Sequence, residues 1–308
     1  MPPNQAMTTT DTRRFLDPAV LAQLGGLRLR AERIVEGYVA GLHRSPYQGY
    51  SIEFAEHREY VPGDDLRYVD WKVFGKTDKV YLKQYEEETN LICYLVLDTS
   101  ESMQYRSDQA AMSKLEYAQC VAASLAYLVL RQQDSVGLAT FDDQVRRMMR
   151  PSSSPAQLNQ MLQTMEEVTA TEKTNTGPIF HDLAERFNRR GIVVILSDLF
   201  DDVESMLTGL KHFRHRRHDV IMVHVLDPAE LDFPFQHATL FRGLEHAGEL
   251  LVEPARLRTA YQQEINAFTA QVATGCRGQR ADYLQVRTDA PLDKVLSTFL
   301  AHRQARIH

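Results

Sequence analysis

Apolar residues recur along this chain in three textures. Leu27, Ala31, Ile34, Val35 and Tyr38 return at intervals of three and four, with Arg28, Arg30, Glu32 and Arg33 between them. That spacing predicts an amphipathic helix with one side to bury. Between residues 49 and 88 the segments SIEFAEHREY, LRYVDWKVF and KVYLKQYEEE alternate around the turn VPGDD, which predicts strands joined by turns.

From residue 91 the pattern changes again. An unbroken apolar run at 91–97 predicts a buried strand, 115–131 an almost wholly apolar helix, and 135–141 and 144–149 two further strands. Helices follow at 155–165 (Leu158, Met161, Leu162, Met165) and from Pro178 (Ile179, Leu183, Phe187). The strand GIVVILS, a helix carrying Val203, Met206, Leu207 and Leu210, and the strand VIMVHVL come next. A hairpin (TLFRGLEHAGELLVE), a helix with Tyr261, Ile265, Phe268 and Val272, the strand DYLQV, and a last helix with Leu292, Val295, Leu296 and Phe299 complete the chain. Strands alternating with helices predict an α/β fold: a mostly parallel sheet with helices on both faces. The chain thus divides into a short disordered tail at 1–14, a segment holding an N-terminal helix and a β-rich part at 15–88, and an α/β domain at 89–308.

Composition narrows the function classes. The 308 residues are 44% hydrophobic and 25% charged, as expected of a globular protein, and the formal charge of −6 argues against nucleic acid as partner. No apolar run reaches the roughly 18 residues of a membrane span, and the N-terminus lacks the apolar middle of a signal peptide, so a cytoplasmic protein is expected. Cys93, Cys120 and Cys276 form no CxxC pair and read as reduced core thiols.

Candidate chemistry gathers where strands end. The run LICYLVLDTSESM closes a strand with Asp98, Ser100 and Ser102, and GIVVILSD closes another with Asp198. Between them, TNTG (174–177) stands before a helix, where Thr is also a good N-cap. Ligands of parallel sheets sit beyond the carboxyl ends of the strands, so these oxygens can surround one hard cation. Mg²⁺ (or Mn²⁺) suits such a set better than Zn²⁺, which favours His and Cys. With few carboxylates and several neutral hydroxyls, the ion would stay short of negative charge and recruit an acidic group from a partner.

DTSES, TNTG and SD in this order resemble the metal-ion-dependent adhesion site (MIDAS) of von Willebrand factor A domains. The resemblance implies metal contacts, direct or through water, from Asp98, Ser100, Ser102 and Thr174, with Asp198 closing the shell. Thr176 is an alternative to Thr174, and Asp201 and Asp202 are placed to compete with or support Asp198. A wider stretch, GLHRSPYQGYSIEFAEHREYVPGDDLRYVDWKVFGKTDKVYLKQYEEETN followed by DTSESM, is similar to the bacterial family called domain of unknown function fifty-eight, in which a von Willebrand A-like domain follows this motif. That resemblance implies a von Willebrand A-like, Rossmann-like fold. It also implies an adaptor that accompanies AAA+ ATPases of the MoxR class and helps them remodel or mature target complexes. Many relatives carry membrane helices; this sequence shows none.

Within PGDDLR and its surroundings, Arg58, Asp64, Asp65, Arg67, Asp70 and Trp71 crowd opposite charges around the only tryptophan. They read either as an ion-pair knot or as a docking surface for the ATPase. FGKTDK lacks the glycine a P-loop needs at position 70, so ATP binding is not expected. His212, His215 and His218, among Lys211, Arg214, Arg216 and Arg217, read as complementing a helix C-terminus rather than as metal ligands. Two function classes follow. The first is a non-enzymatic, metal-dependent binding adaptor that grips an acidic residue of a client. The second is a metal-dependent hydrolase acting on phosphate esters at the same edge. The first is favoured, because no GxSxG elbow, base or extra carboxylates mark a hydrolase.

Overall fold

The computed structural model describes residues 17–42, 57–59, 81–83, 91–168, 176–242 and 248–307. Helices α1 (Pro18–Ala22) and α2 (Leu27–Leu42) open it, and a two-stranded antiparallel pair follows, β1 (His57–Glu59) with β2 (Tyr81–Lys83). The remainder alternates as the sequence predicts: β3 (Ile92–Asp98), α3 (Lys114–Arg131), β4 (Ser135–Phe141), β5 (Val145–Ser152), α4 (Pro155–Glu166), α5 (Thr176–Arg186), β6 (Ile192–Ser197), α6 (Val203–His215) and β7 (Asp219–Leu226). After a short α7 (Pro228–Asp232) come the hairpin β8 (Thr239–Arg242) and β9 (Glu249–Val252), then α8 (Pro254–Gly278), β10 (Asp282–Arg287) and α9 (Asp293–Ile307).

Six strands form one sheet in the order β10-β7-β6-β3-β4-β5. Every neighbouring pair is parallel except β4–β5. The exception has a simple cause: only Asp142, Asp143 and Gln144 separate those two strands, too few for a parallel crossover. Strands are added on one side of β3 by β4 and β5 and on the other by β6, β7 and β10, so the order reverses between β3 and β6. This is the von Willebrand factor A-like, Rossmann-like arrangement, and its crevice opens beyond the carboxyl ends of β3 and β6.

Alternation along the strands feeds two cores. Cys93, Leu95 and Leu97 face one apolar cluster, Ile92, Tyr94 and Val96 the other. Helix α2 buries Leu27, Ala31, Ile34, Val35 and Tyr38 in the first cluster, the five positions its spacing predicted. Packing therefore joins this helix to the sheet: Met1–Leu42 and Leu91–His308 form one compact unit, and His43–Asn90 a second. The division at 15–88, which set the helix with the β-rich segment, follows chain order rather than this contact.

Candidate metal site

The loop leaving β3 is fixed before any ligand is considered. Thr99 donates its N–H and its hydroxyl to the Phe141 carbonyl at 2.7 and 2.8 Å, tying the loop to the end of β4. The β3–β6 register pairs Leu97 with Leu196, so Asp98 lies beside Ser197. Ser197 donates its hydroxyl to Asp98 Oδ2 at 2.5 Å, and the Ser100 N–H donates to Asp98 Oδ1 at 2.9 Å. The hydroxyl oxygens of Ser100 and Ser102 stand 3.1 Å apart.

Asp198 is held differently. Its Oδ2 accepts from the Lys114 ammonium at 2.7 Å, and the same ammonium donates to Glu230 Oε1 at 2.6 Å. Lys114 arrives there because Ser113 and Glu116 form a capping box that starts α3 at this residue. Glu230 is placed by a second capping box, with Asp227 as N-cap of α7. The Asp227 carboxylate, fully buried, accepts from Ala229 N–H at 2.8 Å and Ser107 N–H at 3.0 Å. Four carboxylates and one ammonium thus meet at the carboxyl edge of the sheet.

Electrostatics follow from that count. Burial and the nearby Asp198 charge push the Asp98 carboxyl up to about 7. Burial works against the Lys114 ammonium, but attraction from Asp198 and Glu230 outweighs it and holds this lysine protonated. Asp198 therefore has a cation, whereas Asp98, among the described residues, makes hydrogen bonds only with neutral donors.

The remaining expected residues fall as follows. Thr176 begins α5 and donates both its N–H (2.6 Å) and its hydroxyl (2.8 Å) to Asp201 Oδ2. Asp201 thus holds Thr176 at the start of α5, and Asp202 caps α6 through Ser205 N–H at 2.6 Å. Thr174, Asp64, Asp65, Arg67, Asp70 and Trp71 lie outside the described residues, as does the side chain of Arg58, whose backbone is in β1. His212 packs edge-on against His181 at 4.2 Å, and His218 is buried and accepts from Gly191 N–H. Asp98, Ser100 and Asp198 are at most 1% exposed, and Ser102 is 9% exposed. The oxygens turn toward each other and toward Lys114, which satisfies them internally. Neither Lys114 nor Glu230 was anticipated, because a lone lysine at a helix start and a glutamate after a strand look like ordinary capping residues.

The donor set fits a hard divalent cation. Adjacent ligands of an octahedral ion at 2.0–2.1 Å stand about 3.0 Å apart, close to the 3.1 Å between the Ser100 and Ser102 hydroxyls. No group of three or more His, Cys, Asp or Glu disposed to hold a metal occurs among the described residues, so such an ion would lean on hydroxyls. Asp98, Ser100 and Ser102 would hold it, with Asp198 adding negative charge nearby.

Comparison with known proteins places the chain. Residues 56–271 match the model of a family described as a protein of unknown function, DUF58. Uncharacterized proteins of Mycobacterium bovis and Mycobacterium tuberculosis are each 27% identical over 293 residues, spanning 94% of this chain and 91% of the relative. Among solved structures, the conserved hypothetical protein BatB from Bacteroides thetaiotaomicron is similar with a TM-score of 0.48 and 15% identity, over 70% of this chain and 98% of that one. An aerotolerance-related membrane protein from Bacteroides fragilis gives 0.46 and 17%, over 70% and 97%. The VWA domain of SpRpn10 gives 0.40 and 11%, over 68% and 94%. No helix of the described residues is long and apolar enough to cross a membrane.

Proposed function

Since the chain belongs to the DUF58 family, we propose that it is a non-enzymatic, metal-dependent protein-binding adaptor that works with a MoxR-type AAA+ ATPase on an acidic client. The observation that carries this reading is Asp98: a fully buried carboxylate with no cation beside it among the described residues, satisfied by Ser100 N–H and the Ser197 hydroxyl, next to two hydroxyls 3.1 Å apart. Burying a carboxylate in this way is costly unless positive charge is near. Mg²⁺ (or Mn²⁺), when bound, supplies that charge and a position that a client carboxylate can occupy.

The chain's own residues set the rest. Thr99 anchors the loop, Ser100 and Ser102 present oxygens, and Lys114 neutralises Asp198 so that little negative charge remains for the ion. A cation short of negative charge binds an incoming carboxylate well. Ser102, the most exposed of the described donors, marks the side of approach. Lys114 is held protonated by two carboxylates and is unavailable as a general base, which removes one route to hydrolysis. Three free, buried cysteines suit a reducing, cytoplasmic setting.

The experiment uses the purified chain and a purified MoxR-type ATPase. Co-elution that needs Mg²⁺, and is lost in Asp98→Ala at an unchanged melting temperature, is expected. Co-elution that persists in EDTA contradicts the reading, and Mg²⁺-dependent phosphatase turnover lost in the same variant would replace it with the hydrolase.

A further inference from the structure

At the amino-terminal edge of the sheet, opposite the candidate metal site, a cavity of about 290 Å³ opens beside the ends of α6 and α8 and the starts of β7 and β10. Four arginines line it: Arg190, Arg214, Arg217 and Arg280, against the single carboxylate of Asp219. Arg190 approaches Asp219 only to 3.9 Å, with both side chains more than a third exposed, so that pair offsets little charge. Arg214, Arg217 and Arg280 make no ion pair among the described residues. Such a concentration of positive charge is unexpected in a chain of net charge −6.

Two of these arginines occupy costly backbone positions. Arg217 and Arg280 have φ of 62° and 56°, the left-handed region in which glycine is the favoured residue after a helix. Each closes its helix with the same turn: His218 N–H returns to the Phe213 carbonyl at 3.0 Å, and Ala281 N–H to the Cys276 carbonyl at 2.9 Å. An arginine there is less stable than glycine by about 1 kcal/mol. Compensation of helix dipoles accounts for a basic residue in the last turn of a helix, as at Arg214. It does not account for Arg190, which comes from the loop before β6 and meets the other three at the same concavity.

We propose that this cavity binds a phosphomonoester group carried on a polypeptide side chain. Such a group bears about −1.5 to −2 charge near neutral pH, with three acceptor oxygens, and guanidinium forks match it in pairs. A single carboxylate would leave most of the four arginines without a partner. Among the described residues no Phe, Tyr or Trp lines the cavity to stack on a nucleobase, which argues against a nucleotide. Gln279 at its rim can hydrogen-bond a peptide amide, and buried Leu210 and Val220 give an apolar floor for a side-chain methylene. This site is separate from the metal-dependent reading and requires no metal.

The test is calorimetric titration of the full chain, in EDTA, with N-acetyl-phosphoserine N-methylamide, the matching glutamate compound and inorganic phosphate. The phosphoserine compound is expected to bind at least about tenfold more tightly than the other two, and less tightly as salt rises. The double variant Arg217→Gly, Arg280→Gly keeps the left-handed turns and removes two guanidinium groups. It is expected to lose at least about tenfold in affinity while its melting temperature holds or rises. Binding of the glutamate compound or of inorganic phosphate as tight as that of the phosphoserine compound overturns the proposal, as does undiminished binding by the double variant. Arg214→Gln, on the exposed end of α6, gives a second variant with the same expected loss.

Discussion

Lys114 and Asp198 form an ion pair closed to solvent, with Nζ 2.7 Å from Oδ2 and exposures of 0% and 1%. Removing one partner of such a pair leaves a buried charge alone, at a cost of about 3–5 kcal/mol. Here two carboxylates would be stranded, since Glu230 Oε1 shares the ammonium at 2.6 Å. Lys114→Met is expected to lower the urea midpoint by a corresponding amount. Added Mg²⁺ is expected to restore more stability to the variant than it adds to the wild type, because the lost cation no longer competes for Asp198. An unchanged midpoint would mean the pair contributes nothing.

Burial and the neighbouring Asp198 charge raise the Asp98 carboxyl from its ordinary 3.8 to about 7. A raised folded-state value means that the protonated form is the one the apo fold prefers. Its stabilising contribution is present below about pH 4 and is lost as pH rises through 7. In EDTA, Asp98→Asn is therefore expected to gain stability relative to the wild type between pH 5 and pH 8, by a few kcal/mol, in paired urea titrations. A difference that stays flat across that window contradicts the assignment.

Gly177, the last residue of TNTG, serves packing. A Cβ built there would stand 2.8 Å from the backbone carbonyl oxygen of Ser205, and one on Gly209 2.7 Å from the Gly177 carbonyl oxygen. Helices α5 and α6 touch along this line of small residues. Gly177→Ala is expected to cost about 1–3 kcal/mol by overpacking, read as a lower melting temperature, with Mg²⁺ affinity changed less than in Asp98→Ala.

Much of this architecture was legible in the order of apolar runs. The buried residues of α2, the strands from 91 onward and the hairpin TLFRGLEHAGELLVE all carry unambiguous period or length. The turn of 3₁₀ helix at Glu101–Gln104 and α7 were not foreseen, being too short to show a period. The site divides the same way. Asp98, Ser100 and Ser102 announce themselves because one strand end carries all three within five residues. Lys114 and Glu230 lie 84 and 32 positions from Asp198, and only the sheet's folding brings them to it. Nothing in local spacing reports that neighbourhood. The basic run from Lys211 to Arg217 reads as a helix end, because Arg190 and Arg280, its partners across the cavity, are distant in sequence.

Divalent-ion binding by the isolated chain tests the account most directly. Titration calorimetry with Mg²⁺ is expected to give one site in the wild type, at least about tenfold weaker in Ser100→Ala and abolished in Asp98→Ala, with all three proteins folded at the temperature of the titration. Equal Mg²⁺ affinity in Asp98→Ala and the wild type, or no saturable binding in the wild type, would contradict it.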